Sequence, residues 1–243
     1  MIRFIIVLIS LPAIYSCHNK NKTAKDTSIY QSHVFAKEPN DSARYKLVKY
    51  DFYFNENGRL CERKLAMARD SSCKCDFTVY YDSVFTIFGG AMNIEKPLDS
   101  IVDIQSFELV DDTEYSKDKK HVFYFYANSG GGNRFIVKEA DPKTFKRLCE
   151  YRWGVDKNFV FYRGNALKGL DPKKVQPLYS PDTSNHFVSY VKDDKIVYCE
   201  YFPVEGAEAK TFKVTGPAES FAEDKNYKYE SGSRKGRNQE VKK

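Results

Sequence analysis

The sequence predicts an all-β chain of repeated β-hairpin units with buried Asp-Pro turns, forming an extended or curled antiparallel sheet. Three observations carry that prediction. The chain holds 18 Tyr and 18 Phe among 243 residues, and flat rings favour strands because they pack well on a pleated surface. Short apolar runs alternate with clusters of Gly, Asn, Asp and Pro that punctuate them as turns. Shifted by 38 residues, the second half of the chain lines up with itself.

The repeat is concrete. Asp103-Ile104-Gln105-Ser106-Phe107 lines up with Asp141-Pro142-Lys143-Thr144-Phe145, Val110 with Leu148, and Tyr115 with Trp153. Asp118-Lys119-Lys120-His121-Val122-Phe123-Tyr124 lines up with Asp156-Lys157-Asn158-Phe159-Val160-Phe161-Tyr162. A further step brings Asp194-Lys195 onto Asp156-Lys157, and Asp224-Lys225-Asn226-Tyr227 is a weaker echo. Asp171-Pro172-Lys173-Lys174-Val175 repeats the Asp-Pro element.

Each piece of a unit has a physical reading. Asp-Lys-Asn opens a turn, since Asp and Asn side chains bond their own backbone and tolerate left-handed angles. A strand follows, Val122 to Tyr126 in one copy and Phe159 to Tyr162 in another. Arg163-Gly164-Asn165 then reverses the chain into Ala166-Leu167-Lys168, whereas Asn128 to Asn133 makes a longer loop. In Asp-Pro-Lys-Thr-Phe, proline fixes φ and presets a turn, with Phe145 or Val175 able to fill the space beneath it.

These units, over about 103 to 200, resemble the DKNYV family, a bacterial repeat whose motif stands here as Asp156-Lys157-Asn158-Phe159-Val160. The resemblance implies the repeat fold and an exported context. It implies no activity and no catalytic residues.

Upstream of the repeats, residues 45–102 form an N-terminal β region. Tyr45 to Phe54 is aromatic and partly alternating, and Asn57-Gly58 marks a hairpin before Arg59-Leu60-Cys61. Phe77 to Phe88 reads as a strand or a pair of strands. Residues 60 to 69 fit a short helix or a strand equally. At the other end, 216–243 thins out in apolar residues and reads as a polar, disordered tail.

The first sixteen residues read as a signal peptide: Arg3 supplies a charge and Phe4 to Tyr15 an apolar run of 12 residues, too short to span a bilayer. Ile14-Tyr15-Ser16-Cys17 resembles the lipobox of bacterial lipoproteins, although Tyr15 replaces the usual small residue. The resemblance implies that Cys17 becomes the lipidated first residue of the mature chain, with residues 17–44 as a tether. Ordinary secretion with cleavage near Ser16 is the competing reading.

Cys61, Cys73, Cys75, Cys149 and Cys199 remain, an odd number. A zinc site would want four ligands, commonly two pairs, and no second pair exists. A disulfide from Cys61 to Cys73 or Cys75 is therefore favoured over a metal, and neither metal nor cofactor is expected.

The net charge of +6 arises from 39 basic and 33 acidic residues that alternate without a long block of one sign, which speaks against nucleic-acid binding. No Gly-x-Ser-x-Gly or His-Glu-x-x-His is present. The Asn128 to Gly132 loop lacks the Gly-Lys-Ser/Thr ending of a phosphate cradle, and Asp111-Asp112 and Asp193-Asp194 read as turn acids. What is left is the aromatic surface. Most rings are expected in the core; Tyr124, Tyr126 and Tyr162 are candidates for a binding face. The sequence thus points to a lipoprotein of the bacterial envelope, facing the periplasm or the cell surface, that binds a protein or glycan. An envelope-polymer-processing enzyme and a membrane-held inhibitor or immunity protein are the alternatives.

Overall fold

The computed structural model describes residues 44–67, 76–85, 95–181, 187–216 and 220–237, and one local device recurs through them. An Asp following a strand turns its carboxylate inward. One oxygen accepts the backbone N–H groups two and three residues ahead, which makes the turn; the other accepts a backbone N–H at the start of the same unit. Asp156 does this with Asn158, Phe159 and Asp141, each at 2.7 Å. Asp118 holds Lys120, His121 and Asp103 at 2.7 to 2.9 Å, Asp193 holds Lys195, Ile196 and Asp171 at 2.8 Å, and Asp224 holds Asn226, Tyr227 and Glu208 at 2.7 to 2.8 Å. All four carboxylates are buried. A buried carboxylate is tolerated where several N–H donors replace its water.

Around these clips the described residues fold into five sheets. The first is a meander of β1 (Tyr45–Lys49), β2 (Phe52–Asn55), β3 (Leu60–Met67) and β4 (Asp76–Tyr81). Next come β5 (Ser83–Phe85), β6 (Glu95–Pro97) and the single helical turn α1 (Leu98–Ile101). Unit 1 consists of β7 (Glu108–Leu109), β8 (Tyr115–Lys117), β9 (Val122–Tyr126) and β10 (Asn133–Ile136), and β10 is extended by parallel pairing to β5. Unit 2 is β11 (Lys146–Arg147), β12 (Trp153–Val155), β13 (Val160–Tyr162) and β14 (Asn165–Leu167). Unit 3 is β15 (Gln176–Leu178), β16 (Tyr190–Lys192), β17 (Val197–Cys199) and β18 (Phe202–Pro203). Unit 4 is β19 (Lys213–Val214), β20 (Phe221–Glu223), β21 (Tyr227–Glu230) and β22 (Ser233–Arg237). Units 2, 3 and 4 are antiparallel meanders of four strands each.

The core lies between successive sheets. Strand alternation sends Phe161 to join Tyr115, Tyr124 and Phe145 at the junction of units 1 and 2, and sends Val160 and Tyr162 to join Trp153, Val188 and Val191 at the junction of units 2 and 3. Covered on both sides, β13 is buried at every position, and its sequence is continuously apolar. Tyr190, Val197, Phe212 and Tyr229 fill the next junction; Phe52, Leu60, Phe107 and Phe123 fill the one between the first sheet and unit 1. Among the described residues each core cluster thus joins successive units, in the manner of a solenoid. The Asp-Pro turns supply the plugs: Phe145 is buried over Gly154, where any Cβ would overlap its ring.

Several expectations are corrected or decided by the structure. Within the stretch read as a tail, residues 220–237 build most of unit 4; Ala222 and Tyr229 suffice to seat a terminal unit. The third copy of the motif starts at Asp193, one residue before the Asp194 that the 38-residue shift selected, and Asp193 makes the clip. Of the helix and the strand that residues 60–69 fitted equally, the structure shows strand over Leu60–Met67. Cys61 is a buried thiol, and the partners of its expected disulfide, Cys73 or Cys75, lie outside the described residues, as do Cys17 and residues 1–43.

Candidate binding surface at the hairpin edge

Contacts between units set the hairpin edges of units 1, 2 and 3 side by side: Glu114 N donates to Tyr151 O at 3.2 Å, and Tyr162 meets Tyr201. Phe125 N donates to Glu114 O, Arg163 N to Arg152 O, and Glu200 N to Ser189 O, at 2.8 to 2.9 Å. Arg163 and Glu200 take positive φ values of 44° and 52° there, a conformation L residues adopt rarely. In unit 2 the turn Arg163-Gly164 has both residues at positive φ, the geometry that two-residue hairpins require. Unit 1 bolts onto that turn: the Tyr115 hydroxyl accepts from Gly164 N at 2.9 Å and donates to Arg152 O at 3.0 Å. Tyr190 does the same for unit 4 with Gly232 N and Ser220 O.

Along this row lie tyrosines, arginines and glutamates in alternation. Arg152 Nε donates to Glu150 Oε1 at 2.7 Å and Arg152 Nη1 to the Tyr162 hydroxyl at 3.3 Å. The Arg152 guanidinium lies 5.2 Å from the Tyr151 ring, 5.7 Å from Tyr162 and 5.1 Å from Phe187, within cation–π range. Tyr162 meets Tyr201 edge to face at 4.8 Å, and Tyr201 in turn meets Phe202 at 6.2 Å. Arg163 lies 5.7 Å from the Tyr162 ring. The Tyr124 hydroxyl donates to Glu114.

Burial pushes Glu150 up from its ordinary carboxylate value against the opposing pull of Arg152. It likewise holds Tyr124 and Tyr162 protonated, with Glu114 adding to the effect at Tyr124. Glu150 Oε2 and Arg163 Nε are buried without a hydrogen-bond partner among the described residues. Such an arrangement offers rings for stacking and fixed polar groups beneath them.

Of the aromatics singled out in the sequence, only Tyr126 opens to solvent, at 38%. Tyr124 and Tyr162 are buried, because each faces a neighbouring unit, and they support the surface from below. The open rings of the rim are Tyr126, Phe187 at 45% and Phe202 at 72%. Phe187, Phe202, Arg152 and Arg163 were not legible as site residues; the Arg-Gly pair at a hairpin was the one available signal.

Residues 124–239 match the DKNYY family. The repeat region is of the DKNYY type. The match begins in β9 and runs through unit 4, which agrees with the Asp clips at 156, 193 and 224 marking DKNYY units. No curated protein and no solved structure matches the chain. Among the described residues, no three His, Cys, Asp or Glu side chains gather as a metal site.

Proposed function

We propose that the chain is an exported lipoprotein, held at a bacterial membrane by acyl groups on Cys17, whose DKNYY stack is a binding module for a protein or glycan of the envelope. The signal-like run and lipobox-like Ile14-Tyr15-Ser16-Cys17 support the anchor. The observation that carries the binding reading is the hairpin-edge row, in which exposed Phe187 and Phe202 stand beside the Arg152 and Tyr201 cluster. Large exposed rings next to desolvated Arg and Tyr are the composition of binding hot spots.

Affinity capture from detergent-solubilised envelopes tests this reading, with the intact chain and with a Phe187→Ala, Phe202→Ala variant side by side. Both positions are exposed, so the variant keeps the fold. The expected result is a specific protein or glycan retained by the parent and lost from the variant. Recovery of nothing specific, or equal recovery by both, contradicts it.

A further inference from the structure

A second surface, the outward face of the first sheet, is left unexplained by the packing of the stack. Strand pairing fixes its membership: Leu47 opposes Tyr53, Arg63 opposes Tyr80, and Leu65 opposes Thr78, with Tyr45 two residues from Leu47 on the same side. The other side of the sheet carries Phe52, Glu62, Lys64, Ala66 and Val79, all buried toward unit 1. On the outward side Leu47 is 58% and Leu65 64% exposed. Between them Tyr45 stacks on Tyr80 with centroids 3.7 Å apart, and Tyr53 meets Tyr80 edge to face at 5.4 Å.

The two ends of the stack differ. At the far end β22 is exposed at all five positions and reads Ser-Arg-Lys-Gly-Arg. Terminal units of stacked repeats carry polar outer faces because nothing further covers them. The carboxyl-terminal end obeys that rule. The amino-terminal end presents leucines and tyrosines instead, and a contiguous apolar patch of this kind marks an interaction surface.

We infer that the outward face of the first sheet, Leu47, Leu65 and the Tyr45, Tyr53, Tyr80 cluster, rests on the phospholipid surface to which Cys17 is anchored. The inference rests on the lipid-anchor reading for its geometry. The chain enters the described structure at Arg44 and Tyr45, on this very sheet, 28 positions after Cys17 for Tyr45, so this is the part of the fold nearest to the anchor along the chain. Tyrosines suit the membrane–water boundary because one end of the ring is apolar and the other is wet. Arg63 lies on this face beside the Tyr53 ring at 5.5 Å and is ion-paired with Asp51 at 2.7 Å, so the face is apolar and aromatic with that cation neutralised, and its fit to a lipid surface rests on the rings and leucines. With the first sheet on the membrane, the hairpin edge of units 1 to 3 belongs to the units that extend away from it.

The reporter is a tryptophan placed on this face. Trp153 is the one natural tryptophan; it is fully buried and its Nε1 donates to Val188 O at 2.7 Å, so its emission does not respond to lipid. The full chain carrying Leu47→Trp, and separately Leu65→Trp, is purified from membranes, weighed intact, and placed in phosphatidylethanolamine and phosphatidylglycerol vesicles with brominated acyl chains. The expected result is blue-shifted emission quenched by the brominated lipid for both variants, and none for Phe202→Trp. Unquenched emission from a chain whose mass shows acylated Cys17 overturns the inference while leaving the anchor standing. Quenching in a chain whose mass shows no acyl group supports the face and overturns the anchor. A blue shift that grows with protein concentration in the absence of vesicles assigns the face to a second copy and overturns the inference.

Discussion

Asp141 N donates a hydrogen bond of 2.7 Å to Asp156 Oδ2, across 15 residues of chain, and thereby ties the start of unit 2 to its central hairpin. The other oxygen of Asp156 is already committed to Asn158 N and Phe159 N. Asp156→Ala leaves three N–H groups without an acceptor in a buried setting, at a cost of about 3 kcal/mol. Lys157→Ala removes only an exposed ion pair to Asp141, and exposed pairs contribute about 0.5 kcal/mol or less. Urea unfolding of the two variants should show this separation; equal midpoints would remove the clip from the account.

Acid should weaken the stack through two of the clip carboxylates, Asp193 and Asp224. Burial opposes ionisation of Asp193, and the backbone N–H groups of Asp171, Ile196 and Lys195 outweigh it, leaving its pKa below the ordinary value. Asp224 is lowered in the same way, with burial overcome by Glu208 N, the Tyr229 hydroxyl, Asn226 N and Tyr227 N. A carboxylate depressed by folding contributes stability above its unfolded pKa of about 3.9 and loses it as pH falls through the folded value. Unfolding midpoints measured from pH 7 downward should hold steady and then drop below about pH 4, and Asp193→Asn should blunt the drop.

The junction between the first sheet and unit 1 contains a buried ion cluster. Arg134 donates to both oxygens of Glu62 and to the Ser116 hydroxyl, while Lys64 Nζ lies 2.5 Å from Glu62 and 3.7 Å from the centre of the Phe125 ring. Two cations thus share one carboxylate. Burial, with Arg134 beside it, lowers the Lys64 pKa to about 7 against the opposing pull of Glu62. Glu62→Gln leaves both cations uncompensated and should cost about 3–5 kcal/mol, whereas Lys64→Met should be close to neutral. A lysine whose folded pKa lies below its unfolded one binds fewer protons when folded, so stability should rise as pH climbs through the range above about 7. Parallel denaturation of both variants at pH 6 and pH 9 decides it, and a Lys64→Met chain as weak as Glu62→Gln would refute this ranking.

Cys61, Cys149 and Cys199 should behave as inert thiols. All three are buried thiols, and burial pushes them up to about 11, about 12 and about 11 respectively. The thiolate is the reactive form. Alkylation at pH 8 followed by peptide mass mapping should find these three unmodified in the folded chain and modified in denaturant. Modification of any of them under native conditions would mean that its junction opens.

Much of this fold was legible in the residues themselves. Asp118 and Asp156 announced the turn, Val122 to Tyr126 and Phe159 to Tyr162 the strand, and Phe145 the plug under the Asp-Pro turn. The register of unit 3 was not legible, since Asp193-Asp194 offers two starts before the same apolar strand and only the carboxylate geometry chooses between them. Unit 4 was hidden for another reason: Ala222 and Tyr229 are enough to seat it, and its exposed residues read as a tail. Tyr124 and Tyr162 looked like candidate surface rings because a sequence does not show that neighbouring units cover both faces of β9 and β13. The hairpin-edge row, assembled from Arg152, Arg163 and Tyr201 of two different units, exists only once those units are stacked.

Intact-mass measurement of the protein extracted from the membrane fraction tests the account most directly. A chain that begins at Cys17 and carries acyl groups is the predicted result. An unmodified chain that still begins at Met1 would contradict it.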